Sequence, residues 1–588
     1  MGKFRDSPST YDKFPYVEIE DPSAYCWKNW DEITSEFQTT LKDRAGYVMV
    51  VDLYQGVDQV AYLEELKNRM SFDYVIEVSQ ALKSPEEIQK MVYPEVTDDR
   101  VFGYMTRLKL TEFFDQSKFV ALQERIRSAK GNILIFGIGA ALFHEHPTLL
   151  VYVDMARWEI QQRQRKHLVN NLGVFNQSES PSANYKHSFF VDWRVLDRHK
   201  KTLYNSWNYV IDGNGKVPKM ICGNVLNEAL THTANRPFRV VPFFDPGPWG
   251  GQWMREVCDL DSGPDNFAWC FDCVPEENSL LLKIGDDLFE TPSINLVFQQ
   301  PKTLLGEAVF GRFGDEFPIR FDFLDTMDGG NLSLQVHPLT QYIQEHFGMH
   351  YTQDESYYLL DADPESASVY LGMKENADGE SMVRELQQAQ YKGIDFDADR
   401  YVNRWPAKKH DHFLIPAGTI HCSGKDAMVL EISATPYIFT FKLWDWERLG
   451  LDGKPRPIHI ERGSKNIQWD RTTTWVEKNL INQIEPINEG DGWIEERTGL
   501  HKSEFIETRR HWFTKRVAHY TNGGVNVLNL VEGEEVIVES PSHTFKPYII
   551  QYAETFIVPA AVGSYTVRPY GKSENKKCAT VKAFVRHG

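Results

Sequence analysis

The sequence predicts an α/β domain followed by all-β domains, and three observations carry that expectation. Roughly the first 230 residues alternate short apolar runs with longer amphipathic segments. From Arg236 onward the apolar runs are short and separated by Gly, Pro and Asp. The chain, at 588 residues, exceeds what one hydrophobic core organises. The expected domains are 1–232, 233–470 and 471–588.

Along the chain, GYVMVVDL reads as a strand, VAYLEELKNRM as a helix, GNILIFGIGAALF as a strand, and LLVYVDMARWEIQQRQRKHL as a strand running into a helix. That succession builds a largely parallel sheet. FRVVPFF, SLLLKI, INLVF and PIRFDFL then read as short strands of a sandwich or barrel, with a short helix in QQPKTLLGEAVFGRFG. LTQYIQEHFGMHY has helical spacing, which would place His346 and His350, four apart, on one face as a weak ligand pair. A polar stretch from Gly490 to Thr508 precedes VNVLNLVEGEEVIVES, YIIQYAETFIVPAAVGSYTVRP and CATVKAFVRHG, which predict a second, smaller jelly roll.

A net charge of −19 argues against a general attraction to nucleic acid or anionic membrane, since those partners need a concentrated positive field. A phosphorylated substrate would therefore need a local basic pocket. The longest apolar run, NILIFGIGAALF, is broken by glycines and falls short of the roughly 20 residues a membrane span requires. Seven cysteines without a secretory signal fit the reducing cytoplasm. Cys270 and Cys273 have CxxC spacing, but no second pair accompanies them and they read as buried thiols.

Four separated residues carry the chemistry: Gln335 and His337 in LSLQVHP, Glu355 in ESYYLL and His421 in IPAGTIH. Residues i and i+2 of a strand project to one face, so Gln335 and His337 form half a site that neighbouring strands can complete. Two imidazoles, a carboxylate and an amide oxygen suit a borderline divalent ion.

LSLQVHP, ESYY, PAGTIH and DWERLGLDGKPRPIHI follow one another as in the type I mannose-6-phosphate isomerases, and the stretch from Asn331 to Ile460 resembles the cupin barrel of that family. The resemblance implies one Zn2+ per chain on Gln335, His337, Glu355 and His421. It further implies Glu431 as first candidate base and Lys442 as second, and Ser333, Arg448, Lys454 and Arg456 as substrate-binding residues. The fold it implies is an N-terminal α/β domain, a metal-binding cupin jelly roll and a smaller C-terminal cupin-like jelly roll. Two positions depart from the family. Lys442 stands where an arginine is expected, and Gln353 where a lysine is. The implied activity is interconversion of mannose 6-phosphate and fructose 6-phosphate through an enediol. A sugar-binding or regulatory cupin that keeps its metal without turnover is the alternative. A cupin oxygenase is disfavoured, because no second histidine follows QVHP at HxH spacing.

In the first domain, GIGA after NILIF resembles the start of a phosphate loop, but Leu142 stands where GxGxxG has its third glycine, and no GxxxxGK[ST] occurs. Arg157, Arg163 and Arg165 give DMARWEIQQRQRK a partial resemblance to the arginine-bearing helix of P-loop nucleoside kinases, implying a degenerate domain of that kind.

Overall fold

The strands VMVVDL, ILIFG and LLVYVD are almost continuously apolar because a sheet covered on both faces buries every side chain along them. In the computed structural model they form the centre of a seven-stranded sheet, ordered Trp27–Lys28, Lys219–Cys222, Tyr209–Asp212, Leu149–Asp154, Val48–Leu53, Ile133–Gly137, Tyr74–Glu77. The five strands from Tyr209–Asp212 to Tyr74–Glu77 are parallel, and the remaining two are antiparallel additions at one edge. The structure describes every residue except 1–2, 5–7, 22, 393–394, 435–437, 450–452, 454–455, 500, 502 and 587–588.

The chain divides into two compact units that are not consecutive in sequence. Tyr16–Thr233 and Pro275–Gln300 form one; Met1–Pro15, Ala234–Val274 and Pro301–Gly588 form the other. This division differs from the expected boundaries, because the hairpin Ser279–Ile284/Asp287–Pro292 pairs in parallel with Tyr16–Ile19 and so completes the first unit. INLVF is helical, Ile294–Gln299, where a strand was expected. A five-residue apolar run has no period that separates the two states, and Asn295 fixes the outcome by donating to Asp154 Oδ2 (2.8 Å) and Thr291 Oγ1 (2.9 Å).

In the second unit the FRVVPFF region gives only a short strand, β1 (Phe243–Asp245). It is followed by β2 (Trp269–Cys273), β3 (Arg320–Asp325), β4 (Leu334–Val336), β5 (Glu355–Ala362), β6 (Ser368–Met373), β7 (Val402–Pro406), β8 (His412–Ile415), β9 (His421–Ser423), β10 (Ala427–Ser433) and β11 (Phe441–Trp444). They make two antiparallel sheets, ordered β8-β5-β10-β3-β2-β1 and β7-β6-β9-β4-β11. Short helices Pro301–Leu305 and Glu307–Phe313 fall where QQPKTLLGEAVFGRFG places them.

The C-terminal part is a second pair of antiparallel sheets. One runs Glu485–Gly490, Trp493–Gly499, Ile506–Phe513, Cys578–Val585, Asn526–Glu532, Thr555–Val558; the other runs Val517–Tyr520, Ser564–Pro569, Glu535–Glu539, Tyr548–Gln551. The segment read as a polar stretch thus contains Trp493–Gly499 and the start of Ile506–Phe513. Their buried positions carry charged and polar side chains, among them Glu495, Glu507, Arg510 and His511, so no apolar alternation marks them.

Candidate metal centre

Register builds the site. Gln335 of β4 lies opposite His421 of β9 and opposite Lys442 of β11, so the three project from one face of their sheet, and His337, two residues on from Gln335, shares that face. Glu355 opens β5 in the other sheet. Opposite one another there stand Tyr357 and Glu431, then Glu431 and Asp322 of β3, which puts Glu355, Tyr357, Glu431 and Asp322 on a single face. The two faces meet at His337 Nε2–Glu355 Oε2, 3.0 Å, and His421 Nε2–Glu355 Oε1, 2.9 Å.

The turn before β9 holds both halves in place. Gly418, at φ +86°, is in the left-handed region that glycine tolerates, and its N–H donates to the His337 carbonyl at 3.0 Å. The neighbouring Ala417 N–H donates to Asp354 Oδ1 at 2.8 Å.

The tautomers follow from the backbone. His421 Nδ1 faces the Thr419 carbonyl at 2.9 Å and His337 Nδ1 faces the Phe439 carbonyl at 3.3 Å. A carbonyl only accepts, so each Nδ1 carries the proton and each neutral Nε2 turns a lone pair toward Glu355. Two lone pairs converging on a carboxylate 3 Å away repel one another unless a cation lies among them. His337 Nε2 and Glu355 Oε1 are buried without a hydrogen-bond partner, which fits the same requirement. Among the described residues, His337, Glu355 and His421 are the one group of three or more His, Cys, Asp or Glu whose ligand atoms lie within 4.8 Å of one another. The Gln335 amide sits 3.2 Å from His421 Nε2, and a turn of that amide presents its oxygen to the same point.

Among known proteins, the mannose-6-phosphate isomerase of Streptococcus mutans serotype c is 28% identical over 216 residues, covering 36% of this chain and 62% of that protein. Mannose-6-phosphate isomerase ManA of Bacillus subtilis is 24% identical over 234 residues, 40% of this chain and 68% of that one. Over these stretches the chain is similar to mannose-6-phosphate isomerases. It spans less than two thirds of the S. mutans relative. Solved structures similar to it include the mannose 6-phosphate isomerase of B. subtilis (TM-score 0.48, 18% identity, 59% of this chain, 99% of that one). A mutant phosphomannose isomerase from Salmonella typhimurium has TM-score 0.46 and 12% identity, over 60% of this chain and all of that one. Residues 29–235 match a family described as a domain of unknown function, DUF8485.

Around the candidate metal centre, Gln353 does what the sequence could not tell. Its Nε2 donates to Glu355 Oε2 at 2.7 Å and reaches Glu431 Oε1 at 3.3 Å, joining the two carboxyl groups through one amide. Burial, then the charges of Glu355 and Asp322, push the Glu431 carboxyl well above its ordinary value. Tyr357, passed over in the sequence, places a buried hydroxyl without a hydrogen-bond partner on this face, its ring 5.8 Å from that of His421. Ser333, Arg448 and Arg456 do come together, on a fourth residue the sequence reading omitted: Asp445 Oδ1 accepts from Ser333 Oγ (2.7 Å), Arg448 (2.9 Å) and Arg456 (3.1 Å). Lys454 lies outside the described residues. His346 and His350 do not share a helix face, since the helix Thr340–Phe347 ends at Gly348 and both imidazole residues are exposed. Cys270 and Cys273 are buried free thiols.

In the first unit the would-be phosphate loop is already satisfied. Asp52, at the end of Val48–Leu53, accepts from Gly139 N (3.0 Å) and Ala141 N (2.9 Å) and faces His199 Nε2 at 2.8 Å. The amides that would cradle a phosphate therefore hold a carboxylate of the chain itself. The three arginines are engaged as well: Arg157 with Asp197, Arg163 with Glu159, and Arg165 over the Trp158 ring.

Proposed function

We propose that the protein is a zinc-dependent aldose–ketose isomerase that interconverts mannose 6-phosphate and fructose 6-phosphate through an enediol. The observation that carries this reading is the convergence of two imidazole lone pairs and a buried carboxylate, in a chain similar to mannose-6-phosphate isomerases, on one point. Gln335, His337, Glu355 and His421 would hold the ion, which supplies Lewis-acid stabilisation of negative charge developing on the sugar oxygens.

Isomerisation of an open-chain sugar moves a proton between C1 and C2 while the carbonyl moves the other way. Glu431 is the candidate to carry that proton. A carboxyl with raised proton affinity accepts a carbon-bound proton more readily than an ordinary one, and the Gln353 amide orients it. Lys442, half-buried and opposite Gln335, brings positive charge to the same face. Ser333, Arg448 and Arg456, with Lys454, are the phosphate-binding candidates. Arg448 and Arg456 share the single carboxylate of Asp445, so two guanidinium charges face one negative charge there.

A panel of aldose and ketose phosphates incubated with the zinc-loaded protein tests the reading. Interconversion of mannose 6-phosphate and fructose 6-phosphate is expected. Zinc and sugar-phosphate binding without turnover would instead favour a regulatory protein, the reading that the neutral Gln353 supports.

A further inference from the structure

Two polar atoms beside the candidate metal centre lack a partner within the chain. The first is Gln353 Oε1. Gln353 is 2% exposed, and its Nε2 lies between Glu355 Oε2 at 2.7 Å and Glu431 Oε1 at 3.3 Å. Turning the amide over would press its oxygen against the Glu355 carboxylate, so the neighbours fix its orientation. The carbonyl end, Oε1, is then left buried without a hydrogen-bond partner.

The second is the Tyr357 hydroxyl, fully buried and equally without a partner. Tyr357 stands directly across the ladder from Glu431, so the unmet acceptor and the unmet donor adjoin the same carboxyl group. A phenylalanine would fill the volume of the ring without burying a hydroxyl, and an unmet buried polar group is destabilising. Two such groups around one carboxyl call for a ligand, and there is space for one. Gln335 and Glu431 project into the barrel from its two sheets, yet they keep 8% and 6% of their surface accessible, while their neighbours Tyr357 and His421 keep none. A solvent-sized space therefore adjoins Glu431.

An acceptor and a donor together complement a hydroxyl group, which donates through its proton and accepts through its oxygen. A carboxylate or phosphate would satisfy Tyr357 but repel the Gln353 carbonyl, and an ammonium would do the reverse. We propose that Gln353 and Tyr357 are substrate-contacting residues that bind one sugar hydroxyl, that on C3 of a hexose phosphate. This rests on the isomerase reading, in which Glu431 reaches C1 and C2. The C3 hydroxyl is the nearest one that takes no part in the carbonyl exchange. Held there, it keeps the reacting carbons against Glu431 and makes the site favour substrates that bear it over those that lack it.

Steady-state kinetics of the zinc-loaded, full-length protein on mannose 6-phosphate and on its 3-deoxy analogue test this. The wild type is expected to lose about tenfold or more in kcat/KM on the analogue. Tyr357→Phe is expected to lose a similar factor on mannose 6-phosphate, to keep its zinc, and to separate the two sugars by less than about threefold. Its melting temperature without substrate should equal or exceed that of the wild type, because it sheds an unmet hydroxyl; a purely structural hydroxyl would lower it. Gln353→Met is expected to show the same loss of discrimination. Equal turnover of the two sugars by the wild type, undiminished discrimination in Tyr357→Phe, or a lowered melting temperature in that variant would each overturn the proposal and leave the isomerase reading standing. A wild type that does not turn over mannose 6-phosphate at all would overturn that reading and the proposal with it.

Discussion

His421 is held through Nδ1 on the Thr419 carbonyl, so the lone pair of Nε2, 2.9 Å from Glu355 Oε1, has one direction to offer. His421→Ala should leave the sheets intact and lower zinc affinity at least tenfold, read as metal content after dialysis against a weak chelator; retention of a full equivalent would reject the ligand assignment. Glu431→Gln keeps the shape and the bond to Gln353 but cannot take a proton. It should retain zinc while turnover falls by roughly 10²–10⁴-fold, and undiminished turnover would remove Glu431 as the base. The sequence brought the candidate ligand positions together because strand alternation fixes which side chains share a face, as it does for Gln335 and His337. It could not reveal Gln353 bridging Glu355 and Glu431, since those carboxyl groups are 76 positions apart and meet only through the pairing of β5 with β10. Nor could the count of basic residues after Trp444 reveal that Arg448 and Arg456 share Asp445.

At the scale of elements, the turn between β8 and β9 couples the two halves of the site. A Cβ on Gly418 would stand 2.8 Å from the Asn466 carbonyl, at a φ that side chains rarely adopt. Gly418→Ala should cost about 1–3 kcal/mol, measured as a shift in urea midpoint, and should weaken zinc binding because the same turn carries the bond to His337. A variant matching the wild type in both would show that the turn has room to adjust. Strands were legible where their buried faces are apolar, as in VMVVDL and LLVYVD, and illegible where they face charge. Trp493–Gly499 was hidden because Glu495, an inward position, reads as a surface residue. INLVF was misread for the opposite reason: its apolar residues fit either element, and the deciding contact, Asn295 with Asp154, comes from 141 positions away.

For the molecule as a whole, buried neutral histidines set the acid limit. Burial lowers His412 to about 3 and His511 to about 4, against about 6.5 in an unfolded chain. Below pH 6.5 the unfolded state takes up protons that the folded state refuses, so stability present above that pH is lost as the pH falls toward 4. The urea midpoint of metal-free protein in phosphate-free buffer should be lower at pH 5.0 than at pH 7.5, and equal midpoints would reject the assignment. Residues 1–233 made alone should lack a cooperative thermal transition, because Tyr16–Ile19 has no partner without Ser279–Ile284 and Asp154 loses Asn295. A sharp transition in that fragment would show the hairpin to be dispensable. The interleaving also sets an order of assembly on the ribosome. The parallel sheet emerges first, yet its unit stays open at one edge until the hairpin after Pro275 has left the exit tunnel. By then β1 and β2 of the second unit have already been translated and must wait, unpaired with β3, for the rest of their sheet. The part of the protein made first is thus closed by a segment made after the next part has begun, which exposes both to misassociation during synthesis.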